Sequence, residues 1–346
     1  MQRYAEELAA ALDARLAEDP EYLGGARVVG LAPAGAARQR DWRAIEIRRV
    51  GRLKGHAWEQ IELARAAKGC VLVSLAGSGP LLHPRHVFAV HDANLFANPH
   101  FYSRPYRAWH GFIRPRLAGR ARALITISAF SRGELARWCD LPESRFEIVP
   151  DSAEHILGVS SQPDVLARRG LEAGRYVLCV GNQSPNKNIA LAIDAFAAVA
   201  PEGMHLVVAG GAPAALARAH AVEAPWLKAL GRVSDGELRA LYESAAMFLF
   251  PSLYEGFGVP PLEAMALGCP VVSSDSSAMP EVLGDAALFF RSGDADACAT
   301  RIREVLSLDA AGRRRMAEAG RAQAARYRWV ESADRLRKIL RAIEAV

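Results

Sequence analysis

The amino-acid sequence predicts an α/β protein in which two domains each hold a parallel β-sheet flanked by helices. Short apolar strands alternate with amphipathic helices along both halves of the chain, which is the pattern of βαβ units. The 346 residues exceed one average domain and are enough for two hydrophobic cores. A polar, turn-rich segment at 151–164 separates the halves and is expected to link the two domains.

The second half shows the alternation most clearly. Ser234, followed by Glu237 three residues later, predicts a capping box at a helix start. Pro260 and Pro261 suit the first turn of a short helix that Gly268 closes. Strands are predicted in six short apolar segments: RYVLCVG, MHLVVAGG, LKALG, AMFLFPS, PVVSSD and AALFF.

The first half repeats this pattern less cleanly. Strands are predicted in ARVVGLA, AIEIRRV, CVLVSLAG, VFAVHD, ALITIS and FEIVP, and helices in WEQIELARAA, RPYRAWHGFIRPRLAGRA and SRGELARWC. We expect Ser131 to cap the last of these helices. The domain boundaries are placed at 1–158 and 159–326, followed by an amphipathic helix at 327–346.

Composition limits the possible ligands. The net charge of +5 is compatible with nucleotides or an anionic membrane surface, and is too small to indicate a nucleic-acid partner. The five cysteines show no CxxC or zinc-site spacing, which favours a reducing cytoplasm. No apolar run approaches the roughly 18 residues of a membrane span. The N-terminus forms an amphipathic pattern and does not resemble a signal peptide.

The stretch SLYEGFGVPPLEAMALGCPVV places Glu255 and Glu263 on either side of a glycine-proline turn that opens a helix. Gly256 and Gly258 let the backbone approach a ligand closely, and the N–H groups of a helix start can hold a phosphate. Glu263 could accept hydrogen bonds from both hydroxyls of a ribose. It could equally be an acid favoured by the helix dipole, and this stretch alone leaves both interpretations open.

This stretch resembles the paired-glutamate motif of the retaining glycosyltransferases of family 4. Further similar segments follow in the same order as in the family: VHDANLFANP, ITISAFSRGEL, IVPDSAEHI, VGNQSPNKNIALAIDAF, GRVSDGELRALYESA, SSDSSAMPEV and AALFF. The resemblance covers nearly the whole chain. It implies the GT-B architecture, in which two Rossmann-like domains face each other across a cleft. The first domain would bind the acceptor, the second the nucleotide-sugar, and the last helix would cross back to the first domain.

The resemblance also implies roles for residues of the second domain. Glu263 would bind the ribose, and Glu255 would lie near hydroxyls of the donor sugar and take part in catalysis. Backbone N–H groups of four loop residues would contact the diphosphate and the sugar: Gly256, Phe257, Gly258 and Val259.

A basic pair, usually Arg-Lys in the family, would neutralise the diphosphate. Here the pair reads Asn186-Lys187, after a strand that ends at Gly181, so one positive charge is missing. Lys187 is therefore the expected phosphate cation and a catalytic residue. Arg232 either compensates for the missing charge or is an ordinary surface residue.

In the first domain, His91 and Asp92 end a predicted strand. An isolated histidine here would be a core or loop-capping residue, but the resemblance implies that His91 faces the donor sugar as a catalytic residue, with Asp92 orienting it. The Gly-rich loop 76–80 either lines the acceptor cleft or only turns the chain. Asp294, in an acid-x-acid pattern, is interpreted as a helix cap and not as a metal ligand.

The expected activity is retaining transfer of a hexosyl group in surface polysaccharide or lipopolysaccharide synthesis. The expected donor is GDP-mannose, and the acceptor is a glycan or lipid-linked glycan, so peripheral contact with the inner face of the cytoplasmic membrane is expected. No cofactor or metal is expected. The alternatives are a nucleotide-sugar epimerase of the same fold and a degenerate, binding-only transferase. The family usually begins with a strand and a Gly-rich loop before a helix like RYAEELAAAL, so we expect the first sheet to lack that strand, through a misplaced start or a real truncation.

Overall fold

The computed structural model describes residues 1–36, 40–181, 184–199, 202–211 and 224–344. The chain divides into two compact units. Unit 1 consists of Met1–Asp151 together with Trp329–Val346, and unit 2 consists of Ser152–Arg328. Each unit contains parallel β-sheet and helices, which confirms the predicted α/β class.

Unit 1 contains two parallel sheets within the described residues. The first two strands pair only with each other, and the other four form a sheet in the order β3-β4-β5-β6. The strands are β1 (Val29–Ala32), β2 (Glu46–Arg49), β3 (Leu72–Ser74), β4 (His86–Ala89), β5 (Ala123–Thr126) and β6 (Phe146–Ile148). Five of the six lie within the segments where the sequence predicts strands, and β4 begins one residue before its predicted segment.

The helices of unit 1 differ from the predictions in two details. The segment WEQIELARAA contains a π-helical stretch between two short α-helical turns. Ser131 is not the cap of its helix, because the Ser128 hydroxyl accepts a hydrogen bond from the Ser131 backbone N–H at 3.0 Å. The helical segments are Gln2–Glu18, Gly55–Ala57, Trp58–Leu63, Ala64–Ala66, Asn94–Ala97, Pro99–Phe101, Arg104–Arg120, Ala129–Cys139, Glu143–Arg145 and Trp329–Glu344.

The core of unit 1 joins its sheet to the helix Arg104–Arg120. Phe88 and Leu124 from the strands pack with Ile113 and Leu117 from that helix, and all four are fully buried. The last helix packs on the first, where the Tyr22 hydroxyl donates to Asp334 at 2.7 Å. The N-terminal and C-terminal segments of the described chain are thereby held in one unit.

Unit 2 contains a six-stranded parallel sheet within the described residues. The strand order is β12-β11-β10-β7-β8-β9. The strands are β7 (Tyr176–Val180), β8 (His205–Ala209), β9 (Leu227–Gly231), β10 (Met247–Phe250), β11 (Val271–Ser274) and β12 (Leu288–Phe290). The order reverses between β7 and β10, and ligands of open α/β sheets bind at such a reversal, outside the carboxyl ends of the strands.

The predicted caps of unit 2 are confirmed. Ser234 and Glu237 form a reciprocal capping box, and Asp294 accepts a hydrogen bond from the backbone N–H of Ala297 at 2.9 Å. The segment predicted as a linker contains two short helices, Glu154–Leu157 and Asp164–Arg168. The other helical segments are Pro185–Lys187, Ile189–Val199, Asp235–Ser244, Val259–Ala266, Met279–Leu283, Gly284–Ala286, Ala295–Leu306 and Ala310–Ala324.

The core of unit 2 is apolar on both faces of its sheet. Cys179 and Cys269 lie within it as free, buried thiols, as expected from their apolar sequence surroundings. Burial raises the pKa of both thiols. In the part of the chain that the structure describes, no helix of either unit has the length and apolar character needed to cross a bilayer.

Candidate active site

In unit 2, a glycine-proline turn connects β10 to the helix Val259–Ala266. Gly258 adopts a positive φ of 96° and directly precedes the helix Val259–Ala266. A Cβ atom at Gly258 would lie 2.5 Å from Cε of Met279, so a side chain would collide there as well as strain the backbone. Pro260 and Pro261 occupy the first turn, where their missing N–H groups cost the helix nothing. The glycine and the prolines therefore fix where this helix begins.

Glu263 lies in this helix with its carboxylate buried and held by two side chains. Its Oε1 atom is 2.6 Å from Nε2 of His155, and its Oε2 atom accepts a hydrogen bond from the Tyr242 hydroxyl at 3.0 Å. Only 5% of Glu263 is exposed. A carboxylate has about four lone-pair positions, so each oxygen can accept one further hydrogen bond. A helix-dipole contact alone would not require these two partners.

Sequence reasoning missed both partners of Glu263. His155 comes from the short helix Glu154–Leu157, in the segment interpreted as a linker, and Tyr242 lies on the helix Asp235–Ser244. The side chain of His155 is 4% exposed, and its Nδ1 atom has no hydrogen-bond partner among the described residues. The sequence did contain one sign of this contact. His155 stands beside the apolar pair Ile156 and Leu157 in an otherwise polar segment, and apolar residues in such a segment indicate that it packs against the domain.

Lys187 and Glu255 form a second acid–base pair of unit 2. Nζ of Lys187 donates to Oε1 of Glu255 at 2.6 Å, and both side chains are about 85% buried, with 16% and 15% exposed. The ammonium group also lies 5.2 Å from the ring centroid of Phe250. A Cβ atom at Gly181 would lie 3.2 Å from Cγ of Lys187, so the glycine leaves room for the lysine stem. The structure thus brings together Gly181, Lys187 and Glu255, three of the residues that the sequence analysis assigns to the nucleotide-sugar site.

Asn186 fastens one site loop to the other. Its Nδ2 atom donates to the Tyr254 carbonyl at 3.1 Å, and its own carbonyl accepts from the Leu253 N–H at 2.7 Å. Asn186 is 6% exposed, so its amide is committed to the loop that carries Glu255. Arg232 follows β9 with an exposed side chain and makes no ion pair with the described residues. Phe257 is buried against the ring of Tyr327, with centroids 5.1 Å apart.

His91 of unit 1 follows β4, at the carboxyl end of its sheet. Its Nε2 atom lies 2.8 Å from the Leu75 carbonyl, so Nε2 carries the hydrogen, and Nδ1 is the nitrogen that can accept a proton. Burial, opposed by this hydrogen bond and assisted by the positive charges of the Met1 amino group and of Arg114, lowers the pKa of His91 to about 4. His91 is therefore neutral near pH 7. Asp92 accepts a hydrogen bond at 2.8 Å from the backbone N–H of Asn94, the first residue of the next short helix.

Comparison with known proteins shows the family of this chain. The family model for glycosyl transferases group 1 matches residues 174–308. The chain is 32% identical over 263 residues to O-antigen chain mannosyltransferase B of Escherichia coli, an alignment that spans 71% of this chain and 67% of that protein. The chain therefore belongs to the group 1 glycosyltransferases.

Two solved structures show the same fold over nearly the full length. Sucrose-phosphate synthase from Thermosynechococcus elongatus superimposes with a TM-score of 0.74 at 17% identity, covering 99% of this chain and 93% of that one. WaaG, a glycosyltransferase involved in lipopolysaccharide biosynthesis, gives a TM-score of 0.72 at 18% identity, covering 98% and 95%. These similarities confirm the predicted GT-B fold.

Proposed function

We propose that this glycosyltransferase moves a mannosyl group from GDP-mannose to a glycan or lipid-linked acceptor with retention of configuration. The observation that carries the proposal is the pair Glu255 and Glu263, set on either side of one glycine-proline turn and each bonded to a basic side chain. The similarity to an O-antigen chain mannosyltransferase supports mannose as the sugar and surface polysaccharide as the product.

Glu263 is the proposed ribose ligand. His155 and Tyr242 fix the orientation of its carboxylate, and each oxygen keeps capacity for one ribose hydroxyl. Hydrogen bonds to a charged acceptor contribute about 1.5–3 kcal/mol each. A carboxylate already held in place loses less conformational freedom when the nucleotide binds, which favours affinity.

Lys187 is the proposed cation for the diphosphate. Its present partner is Glu255, so donor binding would exchange the carboxylate for phosphate oxygens and release Glu255 to accept hydroxyls of the sugar. Negative charge grows on the diphosphate as the glycosidic bond breaks, and a fixed cation stabilises that charge most strongly in the transition state. His91, with Nδ1 as its accepting nitrogen, is proposed to contact the sugar.

We propose that the reaction needs no metal, because Lys187 and backbone N–H groups at the start of the helix Val259–Ala266 supply the positive charge. Turnover should therefore be unchanged after dialysis against EDTA, measured without added divalent cation. A loss of activity that Mg²⁺ or Mn²⁺ restores would contradict this part of the proposal. A lipid-linked acceptor would place the protein at the inner face of the cytoplasmic membrane.

A panel of nucleotide-sugars tests the proposal. The purified chain is incubated with GDP-mannose, UDP-glucose and UDP-N-acetylglucosamine, with and without a mannose-containing oligosaccharide acceptor. GDP-mannose should be consumed fastest, and proton NMR of the product should show the anomeric configuration of the donor. Interconversion of sugars without transfer would identify an epimerase, and binding without turnover would identify a binding-only protein.

A further inference from the structure

Arg114 of unit 1 is a buried arginine without an acidic partner among the described residues. It lies in the helix Arg104–Arg120 with only 6% of its surface exposed. Its single hydrogen bond there is a long one, 3.5 Å from Nη2 to the Tyr106 hydroxyl, and its Nε atom has no partner. Buried charges in proteins are normally paired, because removing an ion from water is costly. The packing of the free protein therefore does not explain why an arginine is buried at this position.

Two neighbours on the same helix share this feature. The indole nitrogen of Trp109 and Nδ1 of His110 are also buried without a hydrogen-bond partner among the described residues. The guanidinium and the indole N–H can only donate hydrogen bonds. A group that completes the bonds of Arg114 must therefore be rich in acceptors.

The guanidinium lies against the Gly-rich loop that follows β3. A Cβ atom at Gly77 would be 3.7 Å from Nη2 of Arg114, and Gly77 has a φ of 78°. This loop and His91 both follow strands of one parallel sheet, at its carboxyl end. A loop with a glycine at positive φ can bring backbone N–H groups close to an anion.

The neighbouring titratable side chains do not supply a carboxylate partner for the guanidinium of Arg114. Burial is the main cause that lowers the pKa of His110 to about 4, and the positive charge of Arg114 is the second cause. His110 is therefore neutral near pH 7. Glu59 does not bond to Arg114, because it accepts from Ser78 of the same loop at 2.6 Å and pairs with His56 at 2.9 Å. Asp92 is engaged by the backbone of Asn94.

We propose that Arg114 and the loop 76–80 form a phosphate-binding site in unit 1. The guanidinium fork matches phosphate oxygens. The inference rests on the proposed function only for the source of the phosphate, which is either the diphosphate of the donor or a phosphate of the acceptor. Binding of a bare phosphate compound tests the site without transfer activity.

The probe is inorganic pyrophosphate, titrated calorimetrically into the full chain carrying Lys187→Met, which removes the proposed cation of unit 2. Pyrophosphate should bind this chain, and adding Arg114→Gln should weaken the binding about 10-fold or more. Arg114→Lys should restore part of the affinity, and Arg116→Gln, an exposed arginine of the same helix, should leave it unchanged. Absence of binding, or equal binding with Arg114→Gln, overturns the inference.

Thermal stability separates a ligand site from a structural role. An arginine kept for a ligand costs the free protein stability, so Arg114→Met should leave Tm unchanged or raise it by about 2 °C or more. A fall of several degrees would mean that Arg114 supports the fold, and would overturn the inference.

Two further titrations identify the source of the phosphate. If Arg114→Gln weakens GDP but not guanosine, the site holds the diphosphate of the donor. If GDP is unaffected while a short prenyl phosphate binds more weakly, the site holds a phosphate of the acceptor. If GDP does not bind the wild-type chain, the proposed donor is wrong, yet the pyrophosphate result still decides whether the site exists.

Discussion

The carboxyl ends of the two larger sheets differ in how their charges are paired. In unit 2, Glu255 and Glu263 are both bonded to basic side chains of the same unit. In unit 1, His91 and His110 are neutral and Arg114 lies buried without a carboxylate among the described residues. At one sheet end both carboxylates have side-chain partners in the free protein, and at the other a buried arginine has no carboxylate partner in the described part of the chain.

This difference indicates two ways of preparing for an anionic ligand. In unit 2 the ligand would have to displace an internal partner, since Lys187 is proposed to exchange Glu255 for phosphate. In unit 1 the ligand would supply an absent partner. The first arrangement favours stability of the free protein, whereas the second stores an unfavourable buried charge that binding can offset. Changing either arrangement should have measurable consequences.

Removing Lys187, the ammonium partner of Glu255 in unit 2, should have the largest effect. Lys187→Met should lower kcat by about 10² or more, because Lys187 is proposed to stabilise charge that grows in the transition state. The change also removes the ammonium partner of the buried Glu255 carboxylate, so Tm is measured in parallel. The matched control is Lys228→Met, at the opposite end of the sheet, where the lysine contacts only backbone carbonyls among the described residues. A parallel loss of Tm and activity in Lys187→Met would identify a structural lysine instead.

A smaller effect is expected from removing the histidine that holds Glu263. His155→Ala leaves the buried carboxylate with one donor instead of two, which costs about 1–3 kcal/mol. We expect about a 10-fold loss of nucleotide affinity by calorimetry, with kcat at saturating donor little changed. His155→Gln places an amide N–H near the position of Nε2 and should recover most of the affinity. Failure of His155→Gln to bind better than His155→Ala would mean that His155 acts through packing.

The neutral histidines of unit 1 should make the stability of that unit depend on pH. Burial is the main cause that lowers the pKa of each of three histidines to about 4: His86, His91 and His110. The unfolded chain binds protons on these groups from about pH 6.5 downward, whereas the folded chain does not until about pH 4. The free energy of unfolding of unit 1 should therefore fall by about 2 kcal/mol or more between pH 7 and pH 4.5.

Urea unfolding followed by tryptophan fluorescence can check this. Only Trp226 lies in unit 2, and the other tryptophans belong to unit 1: Trp42, Trp58, Trp109, Trp138 and Trp329. The fluorescence midpoint should move to lower urea as the pH falls, and His86→Gln should reduce the shift. A midpoint that does not change with pH would contradict the neutral-histidine account.

Much of the fold was predictable from local patterns. The strands of both halves, the capping box at Ser234 and the cap at Asp294 follow from short-range rules of spacing and side-chain chemistry. The choice of Ser128 over Ser131 as a cap was missed, because a serine can cap a helix from either position and only the backbone geometry distinguishes them. The separate pairing of β1 with β2 depends on tertiary packing.

The site was predictable only in part. Lys187, Glu255 and Glu263 stand in recognisable motifs, but their partners are set by distance in space. His155 lies 108 residues before Glu263, and its segment has the composition of a linker. Arg114 sits in a helix whose pattern gives no sign that one arginine is buried. The contribution of Asn186 to loop packing also could not be read from a motif in which the family usually has arginine.

The central claim is that Glu263 binds the ribose of a nucleotide in unit 2, and one calorimetric comparison tests it most directly. GDP, UDP and ADP are titrated into the wild-type chain, into Glu263→Gln, and into Glu318→Gln as an exposed control of the same unit. GDP should bind the wild type and Glu318→Gln equally, and Glu263→Gln about 10-fold or more weakly, because charge-assisted bonds to the ribose become neutral ones. Equal affinity of Glu263→Gln and the wild type would contradict the account and leave Glu263 as a structural acid that only holds His155 and Tyr242.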